Sequence, residues 1–450
     1  MMVKHTVLNI AGLLAVAAAL SAVPPLPSGV HAAHLKAATT IQAPPVPNAA
    51  TIKARLGGQS ITFVSDNAVG SSHTRDLMLA AAFTRDTGIK VTLVPHPVTG
   101  GAAYSQLERN FAAHSPALDV MMLDVIWTGA FAPYLVNLQP ALGTEADLHS
   151  PSLIENDTVG DRLVAMPWFG DFGILYFRTD LLKKYGYNQP PRTWAELGAM
   201  AAKIQTGERR ANPKFYGYVF QGNAYEGLVC NALEWLYSSG AGGFIDNGKV
   251  TINNPIAVST LNMIRGWVGT ITPRDVTKYQ EADADRVFDA GNAAFEREWP
   301  YAYALGQTSA AVKGKFDVTA LPAVSGHAAV GTVGGWQLGI SKYSKHIPAA
   351  MEWVRYLTSP AVEKFDAIFN GNVPTILTVA MDPAVRAANP YLKPEIASVV
   401  RVARPAGILG GHYQQGSQVI YQGINEILNG QDASAVLPGI AAKLRHVLGT

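Results

Sequence analysis

The sequence of 450 residues contains one cysteine, Cys230, and few charged side chains. A single cysteine excludes an intramolecular disulfide and a cysteine metal cluster, and its apolar surroundings indicate an inert core thiol. Charged residues make up 15% of the chain and the net charge is +2, so no surface is basic enough to predict nucleic-acid binding. The 11 histidines show no paired spacing typical of metal ligands, and no GxSxG nucleophile motif is present.

Outside the N-terminus, no stretch is apolar over the ~20 residues that a membrane span requires. The N-terminus itself has an apolar run over residues 7–23 and a small-residue site at 30–32. This order predicts an export signal over residues 1–32, with a cut after Ala22 or an uncleaved anchor as open alternatives. No cysteine stands where a lipid anchor would need one. Residues 33–57, rich in Ala, Thr and Pro, predict a flexible linker.

The first half of the chain alternates between strand and helix patterns. A strand over residues 61–65, a helix over 74–86 and a strand over 90–94 form a βαβ unit, whose crossover predicts a parallel sheet. A further strand over 118–122 leads into Asp124. Because ligands bind beyond the carboxyl ends of strands in open α/β sheets, Asp124 is a candidate binding residue.

A second candidate acid lies in the stretch over residues 166–182. Pro167 and the aromatic residues after it cannot continue a helix and predict a turn, and a strand-like run over 172–177 follows. Asp171 therefore stands where a loop enters a sheet, beside Trp168. An acid buried there would bind something polar, whereas the alternative is a surface aspartate that caps a turn.

Two later segments carry local signals. Thr193 and Glu196 have the spacing of a capping box, which predicts a helix over 194–206. Two glycines precede Trp336 and permit a close approach of the backbone to a ligand. Trp336 shares a strand face with Leu338, so its ring could instead be part of the hydrophobic core.

Seven runs of sequence carry a family pattern in one order between residues 60 and 448. They are residues 119–127, 166–182, 190–194, 225–230, 291–302 (GNAAFEREWPYA), 334–343 (GGWQLGISKY) and 404–405. Together they resemble the extracellular solute-binding proteins of ABC importers, and most of all the trehalose/maltose-binding group.

The resemblance implies an α/β fold of two lobes with crossing hinge strands, like that of maltose-binding protein. Lobe 1 is expected over 58–166 plus 317–373, and lobe 2 over 167–316 plus 374–450. By the same analogy, the crossings between the lobes are expected near Pro167, Phe316 and Pro374, which begin or end these segments.

The resemblance also implies a sugar site in the cleft between the lobes. Asp124 would hold sugar hydroxyls from the first lobe and Asp171 from the second. The other implied contacts are the aromatic Phe169, the stacking rings Trp299 and Trp336, the amide of Gly335, the guanidinium of Arg404, and Glu226.

One loop departs from the family pattern. Where the family commonly has an acid that grips a glucose hydroxyl, Ser71 stands here, and Asp66 or Asn67 would have to compensate. This departure bears on the trehalose/maltose assignment more than on the role in transport.

The expected function is therefore capture of a di- or oligosaccharide outside the cytoplasm and its delivery to the transmembrane subunits of an ABC permease. The protein is expected to be a monomer and not an enzyme, without cofactor, metal or nucleic-acid partner. A binding protein for another polar solute, such as a glycerophosphodiester, is one alternative. A secreted glycoside hydrolase is another, since it needs two carboxylates about 5–10 Å apart. Five acids offer candidate pairs: Asp124, Asp171, Glu226, Glu296 and Glu298.

Overall fold

The computed structural model of the chain describes residues 42–65, 71–97 and 100–450. The predicted export signal and Asn67 lie outside these residues. Within the described ranges, no helix combines the length and the apolar character needed to cross a membrane.

Two main sheets organise the described part of the chain. The larger has the strand order β14-β13-β3-β1-β2, with β6 also paired to β13, and the smaller has the order β12-β7-β11-β8. Two short hairpins, β4–β5 and β9–β10, lie outside them. The strands are β1 Ser60–Ser65, β2 Lys90–Pro95, β3 Val120–Asp124, β4 Thr158–Val159, β5 Arg162–Leu163, β6 Met166–Phe172, β7 Ile174–Arg178, β8 Tyr216–Val219, β9 Ile245–Asp246, β10 Lys249–Val250, β11 Ala293–Glu298, β12 Phe316–Thr319, β13 Val330–Ile340 and β14 Val400–Val402.

The pairing directions confirm the predicted βαβ unit. Strand β1 runs parallel to both β2 and β3, as the crossover helix between β1 and β2 requires. Strand β13 then runs antiparallel to β3 and β6. In the smaller sheet, β7 is antiparallel to β11 and β12, and β11 is parallel to β8.

Helices surround both sheets. The capping box predicted at the start of α8 is present, because Glu196 N donates to Thr193 Oγ1 (3.1 Å) and Thr193 N donates to Glu196 Oε2 (3.2 Å). Short 3-10 turns cover Ala132–Tyr134, Arg274–Lys278, Pro390–Leu392 and Gly410–His412. The helices are α1 Ala49–Leu56, α2 Ser72–Thr87, α3 Gly100–Ala112, α4 Thr128–Phe131, α5 Gln139–Ala146, α6 Pro151–Asp157, α7 Thr179–Lys184, α8 Trp194–Glu208, α9 Glu226–Ser238, α10 Pro255–Trp267, α11 Glu281–Asp289, α12 Ala302–Gly306, α13 Ile347–Leu357, α14 Pro360–Phe369, α15 Leu377–Ala380, α16 Pro383–Ala388, α17 Pro394–Ala397, α18 Ala406–Leu409, α19 Tyr413–Leu428 and α20 Ala433–Leu448.

Each main sheet has its own aromatic core. Beside the larger sheet, the Phe63 ring packs edge-on against Trp168 and Trp353, with both centroid distances 5.6 Å. Beside the smaller sheet, the Phe316 ring packs edge-on against Phe288 at 5.8 Å. These rings belong to two different clusters, but a further cluster of buried residues joins strands of both sheets, such as Met121 in β3 and Phe295 in β11.

The chain passes between the two sheets at Gly173 and again between β12 and β13. Pro167, near which a crossing is expected, lies within β6, and Phe316 lies within β12. Strand pairing continues through both positions. Beyond Pro374, Ile376 forms a bridge with His149.

The expected flexible linker over 33–57 is not borne out for residues 42–57. Helix α1 begins at Ala49 in this stretch. Before it, Val46 N donates to Asp86 Oδ2 (3.1 Å) and the Pro44 carbonyl accepts from Tyr356 Oη (2.6 Å). The Ala- and Pro-rich composition suggested a linker, but these tertiary contacts fix the segment against α2 and α13.

Gly173 sits directly against a buried ion pair. Arg297 Nε and Nη2 donate to the two carboxylate oxygens of Glu234 at 2.8 and 2.6 Å, and both side chains are 1% exposed. A Cβ atom on Gly173 would lie 1.9 Å from Glu234 Oε1 and 2.6 Å from Arg297 Nη2. The passage between the sheets therefore requires a residue without a side chain at this position.

A second buried network fixes the main chain just after Pro374. Glu363 accepts from the main-chain nitrogens of Thr375 (3.0 Å) and Ile376 (2.9 Å), and from the Thr375 hydroxyl. Burial raises the pKa of Glu363 to about 8, although these hydrogen bonds act in the opposite direction. The carboxyl group is therefore protonated in the folded protein at neutral pH.

We expect Gly173→Ala to destabilise the protein by about 3–5 kcal/mol, the cost of disrupting a buried ion pair. The measurement is urea unfolding followed by circular dichroism. Gly266→Ala is the matched control, because a Cβ there meets no atom within 4 Å inside α10, and alanine in a helix is neutral or stabilising. Equal midpoints for the two variants would contradict the role of Gly173.

Glu363 should make stability depend on pH in a defined direction. Since its pKa rises from an ordinary 4.5 to about 8 on folding, its neutral form stabilises the fold fully below pH 4.5 and loses that contribution as the pH rises toward 8. The free energy of unfolding of the natural protein, minus that of Glu363→Gln, should therefore decrease from pH 5 to pH 8. The decrease should be at most about 1.4 kcal/mol per pH unit. The exposed Glu395→Gln is the control, and a difference that grows with pH would refute the assignment.

Candidate functional site

A cavity of about 340 Å³ lies between the two sheets. Its volume is within the range of small-molecule sites. Eight of the ten residues proposed from the sequence line it: Asp124, Phe169, Asp171, Glu226, Trp299, Gly335, Trp336 and Arg404. The elements that bring them together are far apart in the chain, from the end of β3 to the segment after β14.

Arg404 joins two of these acids. Its Nη2 donates to Asp124 Oδ1 (2.6 Å) and its Nη1 to Asp124 Oδ2 (3.2 Å) and Glu226 Oε1 (3.0 Å). The guanidinium is 3% exposed, and the two carboxylates are 14% and 15% exposed. Charge-assisted, bidentate contacts of this kind are strong and directional, so the three side chains form one fixed unit.

Helix α19 supports the same unit through Glu226. Tyr413 Oη donates to Glu226 Oε1 (2.5 Å), and the Ser417 hydroxyl donates to Glu226 Oε2. Burial raises the pKa of Glu226, against the lowering effect of Arg404 and these hydroxyl groups. Glu226, predicted from the family pattern alone, is thus positioned by three polar contacts, one from Arg404 and two from α19.

Trp299 forms one wall of the cavity. Its ring lies over the Arg297 guanidinium at 4.0 Å, and its Nε1 donates to Glu281 Oε1 (3.3 Å). The buried pair of Arg297 with Glu234 therefore also supports the ring from behind. One face remains toward the cavity and is suited to stack on a ligand.

Trp336 lines the cavity from β13. Its ring meets Trp127 edge-on at 5.9 Å and His96 edge-on at 5.2 Å. The preceding Gly335 has φ +123°, and a Cβ there would lie 2.7 Å from the Phe169 carbonyl oxygen. The predicted close approach at this glycine is therefore made by strand β6, which brings Phe169 and Asp171 beside Trp336.

Ser71, the tenth candidate, points elsewhere. Its hydroxyl donates to Asn370 Oδ1 (2.5 Å), and the neighbouring Ser72 lines the cavity instead. Asn67 belongs to residues 66–70, outside the described part of the chain. The family pattern thus located the loop that borders the cavity but not the side chain that lines it. Asn370, directly after α14, binds the Ser71 hydroxyl.

His96 is a lining residue that the sequence reasoning missed. It is buried, and burial lowers its pKa to about 4, so the ring is neutral at physiological pH. Its Nδ1 lies 3.0 Å from the Pro97 carbonyl oxygen, which can only accept, so Nδ1 carries the proton. His96 directly follows β2, and the rule applied to Asp124 would have found it.

Other lining residues gave no local signal. Tyr225 precedes α9, Glu281 begins α11, and Asn372 follows α14. Cys230 reaches the cavity wall but is 2% exposed, and burial raises its pKa to about 12. The prediction of an inert thiol is consistent with this placement.

Three further acids, Asp285, Glu296 and Glu298, form a buried cluster behind Trp299. Their oxygens lie within 4.8 Å of one another, and they form the group in the described residues whose spacing would suit a metal ion. Burial raises the pKa of all three. Glu298 accepts from Trp299 N (2.9 Å) and Asp285 accepts from Tyr301 Oη (2.6 Å), so the cluster supports the wall rather than facing the cavity.

Comparisons with known proteins agree with this geometry. Residues 71–364 match the family described as bacterial extracellular solute-binding protein. A relative from Deinococcus radiodurans, named "Probable ABC transporter-binding protein", is 44% identical over 388 residues, which cover 85% of this chain and 91% of the relative.

Solved structures share the fold. The maltose-bound MalE3 of T. maritima is 36% identical with a TM-score of 0.81, and the match covers 87% of this chain and 100% of that one. The GacH receptor of Streptomyces glaucescens, solved unliganded and with acarbose, has a TM-score of 0.76 at 23% identity, over 88% of this chain and 99% of the receptor. At that identity GacH supports the fold alone.

The expected two-lobed α/β fold is confirmed by these matches. The family and the related structures are solute-binding proteins of transport systems and not enzymes, which removes the alternative of a glycoside hydrolase. With the family match over most of its length and a close curated relative, the chain belongs to the bacterial extracellular solute-binding proteins.

Proposed function

We propose that this protein is the substrate-binding component of an ABC importer and captures a di- or oligosaccharide of the trehalose or maltose type. The observation that carries the proposal is the convergence of Asp124, Asp171, Trp299 and Trp336 on one cavity between the sheets. Both acids are far from both tryptophans in the sequence. Strand pairing and the folding of the chain bring them together, so their convergence depends on the fold.

The chemistry of the lining suits a sugar. Carboxylates and a guanidinium bind hydroxyl groups around the rim of a sugar ring, and charge-assisted bonds are roughly twice as strong as neutral ones. Tryptophan faces suit the C–H surfaces above and below the ring. Asp171, Trp299 and Trp336 offer both kinds of contact from different walls.

The placement of the cavity supports capture by closure. Asp124 and Trp336 belong to the larger sheet, whereas Trp299 directly follows β11 of the smaller sheet and Glu226 begins α9. A ligand that contacts both sets stabilises the closed arrangement by its differential affinity. The closed form of a monomer outside the cytoplasm would then be recognised by the transmembrane permease.

The related structures favour a disaccharide. MalE3 of T. maritima was solved with maltose and is 36% identical over its whole length. A glycerophosphodiester, the alternative solute, would want basic groups or a helix N-terminus for its phosphate. The two helices that begin at the cavity, α9 and α11, each start with an acid, Glu226 and Glu281. Arg404, the basic side chain in the cavity lining of the described residues, already binds two carboxylates, which disfavours that alternative.

We expect trehalose or maltose to raise the thermal midpoint of the purified protein. A ligand at 100 times its dissociation constant adds about 2.7 kcal/mol. Asp171→Asn should weaken binding about 10- to 100-fold, since it removes a charged hydrogen-bond acceptor worth about 1.5–3 kcal/mol. Titration calorimetry of both proteins measures this change directly.

Asp161→Asn is the matched control, because Asp161 is exposed in the turn between β4 and β5. It should bind the sugar like the natural protein. A midpoint that stays unchanged with every di- and trisaccharide tested, but rises with glycerophosphocholine, would replace the saccharide by the alternative solute.

A further inference from the structure

The cavity carries far more acids than bases. Arg404 is the one lysine or arginine among the described lining residues, and residues 66–70 and 98–99 contain neither. His96 is neutral at physiological pH, because burial lowers its pKa to about 4. The lining acids are Asp124, Asp171, Glu226, Glu281 and Asp283.

The single guanidinium is already neutralised. Both terminal nitrogens of Arg404 donate to Asp124, and Nη1 also donates to Glu226. The three side chains together therefore carry one net negative charge. Arg404 Nε has no hydrogen-bond partner among the described residues, but both terminal nitrogens are occupied. An anionic ligand would meet two carboxylates beside this guanidinium.

Glu281 brings a further carboxylate to the stacking wall. Its Oε1 accepts from Trp299 Nε1 at 3.3 Å, which holds the acid at the edge of the ring. Asp283, two residues further into α11, pairs with Arg286 (3.0 Å), whose side chain is 71% exposed. Exposed pairs of this kind are weak, so this arginine compensates little of the charge inside the cavity.

His96 gives an independent indication of the ligand's chemistry. The Pro97 carbonyl accepts from Nδ1–H (3.0 Å), so Nε2 carries the lone pair and acts as an acceptor. Nε2 is buried and has no hydrogen-bond partner among the described residues, and His96 lines the cavity. A ligand rich in donors would satisfy it, whereas a phosphate would not.

These observations define a site that presents acceptors and negative charge around aromatic faces. Clefts lined by one sign of charge focus the field on the ligand. A protonated amine adds donors for the carboxylates and for His96, and it also interacts favourably with the face of a tryptophan. A neutral hydroxyl at the same position provides one donor and no charge.

We infer that the cleft selects a cationic saccharide, one that carries a protonated amine, over the neutral parent sugar and over its phosphate ester. This inference rests on the proposed capture of a saccharide and narrows its substrate class. The selecting groups are Glu281 at the edge of Trp299, the paired state of Arg404, and the acceptor nitrogen of His96.

The test is titration calorimetry with matched ligands on one scaffold. The probes are trehalose, its monoamino derivatives with the amine at C2, C4 or C6, and trehalose 6-phosphate, each at low ionic strength and in 0.5 M NaCl. At least one amino derivative should bind tenfold or more tighter than trehalose at low salt. The preference should shrink in 0.5 M NaCl, because salt screens charge, and the phosphate should bind more weakly than trehalose.

Glu281→Gln separates charge from positioning. The glutamine carbonyl oxygen can still accept from Trp299 Nε1, so the ring stays in place while the charge is lost. The variant should lose most of the preference for the amine, measured as the ratio of the dissociation constants of trehalose and of its amino derivative for the same protein. Glu395→Gln, an exposed control outside the cavity lining, should retain the full preference.

The outcomes distinguish the two proposals. Binding of trehalose without a preference for any amino derivative overturns the inference alone and leaves saccharide capture intact. An amine preference that survives Glu281→Gln unchanged overturns the role assigned to this carboxylate and with it the inference. Failure of every saccharide to bind, with maltose and its amino derivatives included, overturns both.

Discussion

The buried ion pair between Glu234 and Arg297 connects the parts of the molecule that form the site. Glu234 also accepts from Thr332 N (3.1 Å) at the start of β13, so the pair joins α9, β11 and the strand that crosses to the larger sheet. Its outer side meets Gly173, and Arg297 lies beneath Trp299. Such pairs add little net stability compared with an apolar equivalent. The contribution of this pair is that it fixes α9, β11 and β13 relative to one another.

That geometry fixes the position of the Trp299 wall and surrounds it with hydrogen-bond acceptors. The Trp299 ring is supported from behind by a cation and at its edge by Glu281. The cluster of Asp285 and Glu298 lies further back, where burial raises both pKa values. The result is an aromatic platform surrounded by acceptors, which is suitable for a ligand with many hydrogen-bond donors.

Much of the fold and of the candidate site was predictable because it depends on local patterns and on the family resemblance. The βαβ unit follows from the alternation of residues 61–94, and the capping box at Thr193 from a spacing of three residues. Eight proposed site residues line the cavity, since the runs that carry the resemblance are those around it. Local patterns give no sign that strand pairing extends through Pro167 and Phe316, near which crossings were expected by analogy.

Local patterns and the family resemblance were enough to predict the class of fold, the order of its elements, and the residue types available for binding a polar solute. The folded structure was needed to show that Arg404 is shared between Asp124 and Glu226, that Glu281 lies at the edge of Trp299, and that Ser71 is bound to Asn370. Periodicity and capping act over a few neighbouring residues, whereas these contacts join side chains up to 299 positions apart. The charge balance of the cleft depends on which acids and bases meet there, and composition does not contain that information.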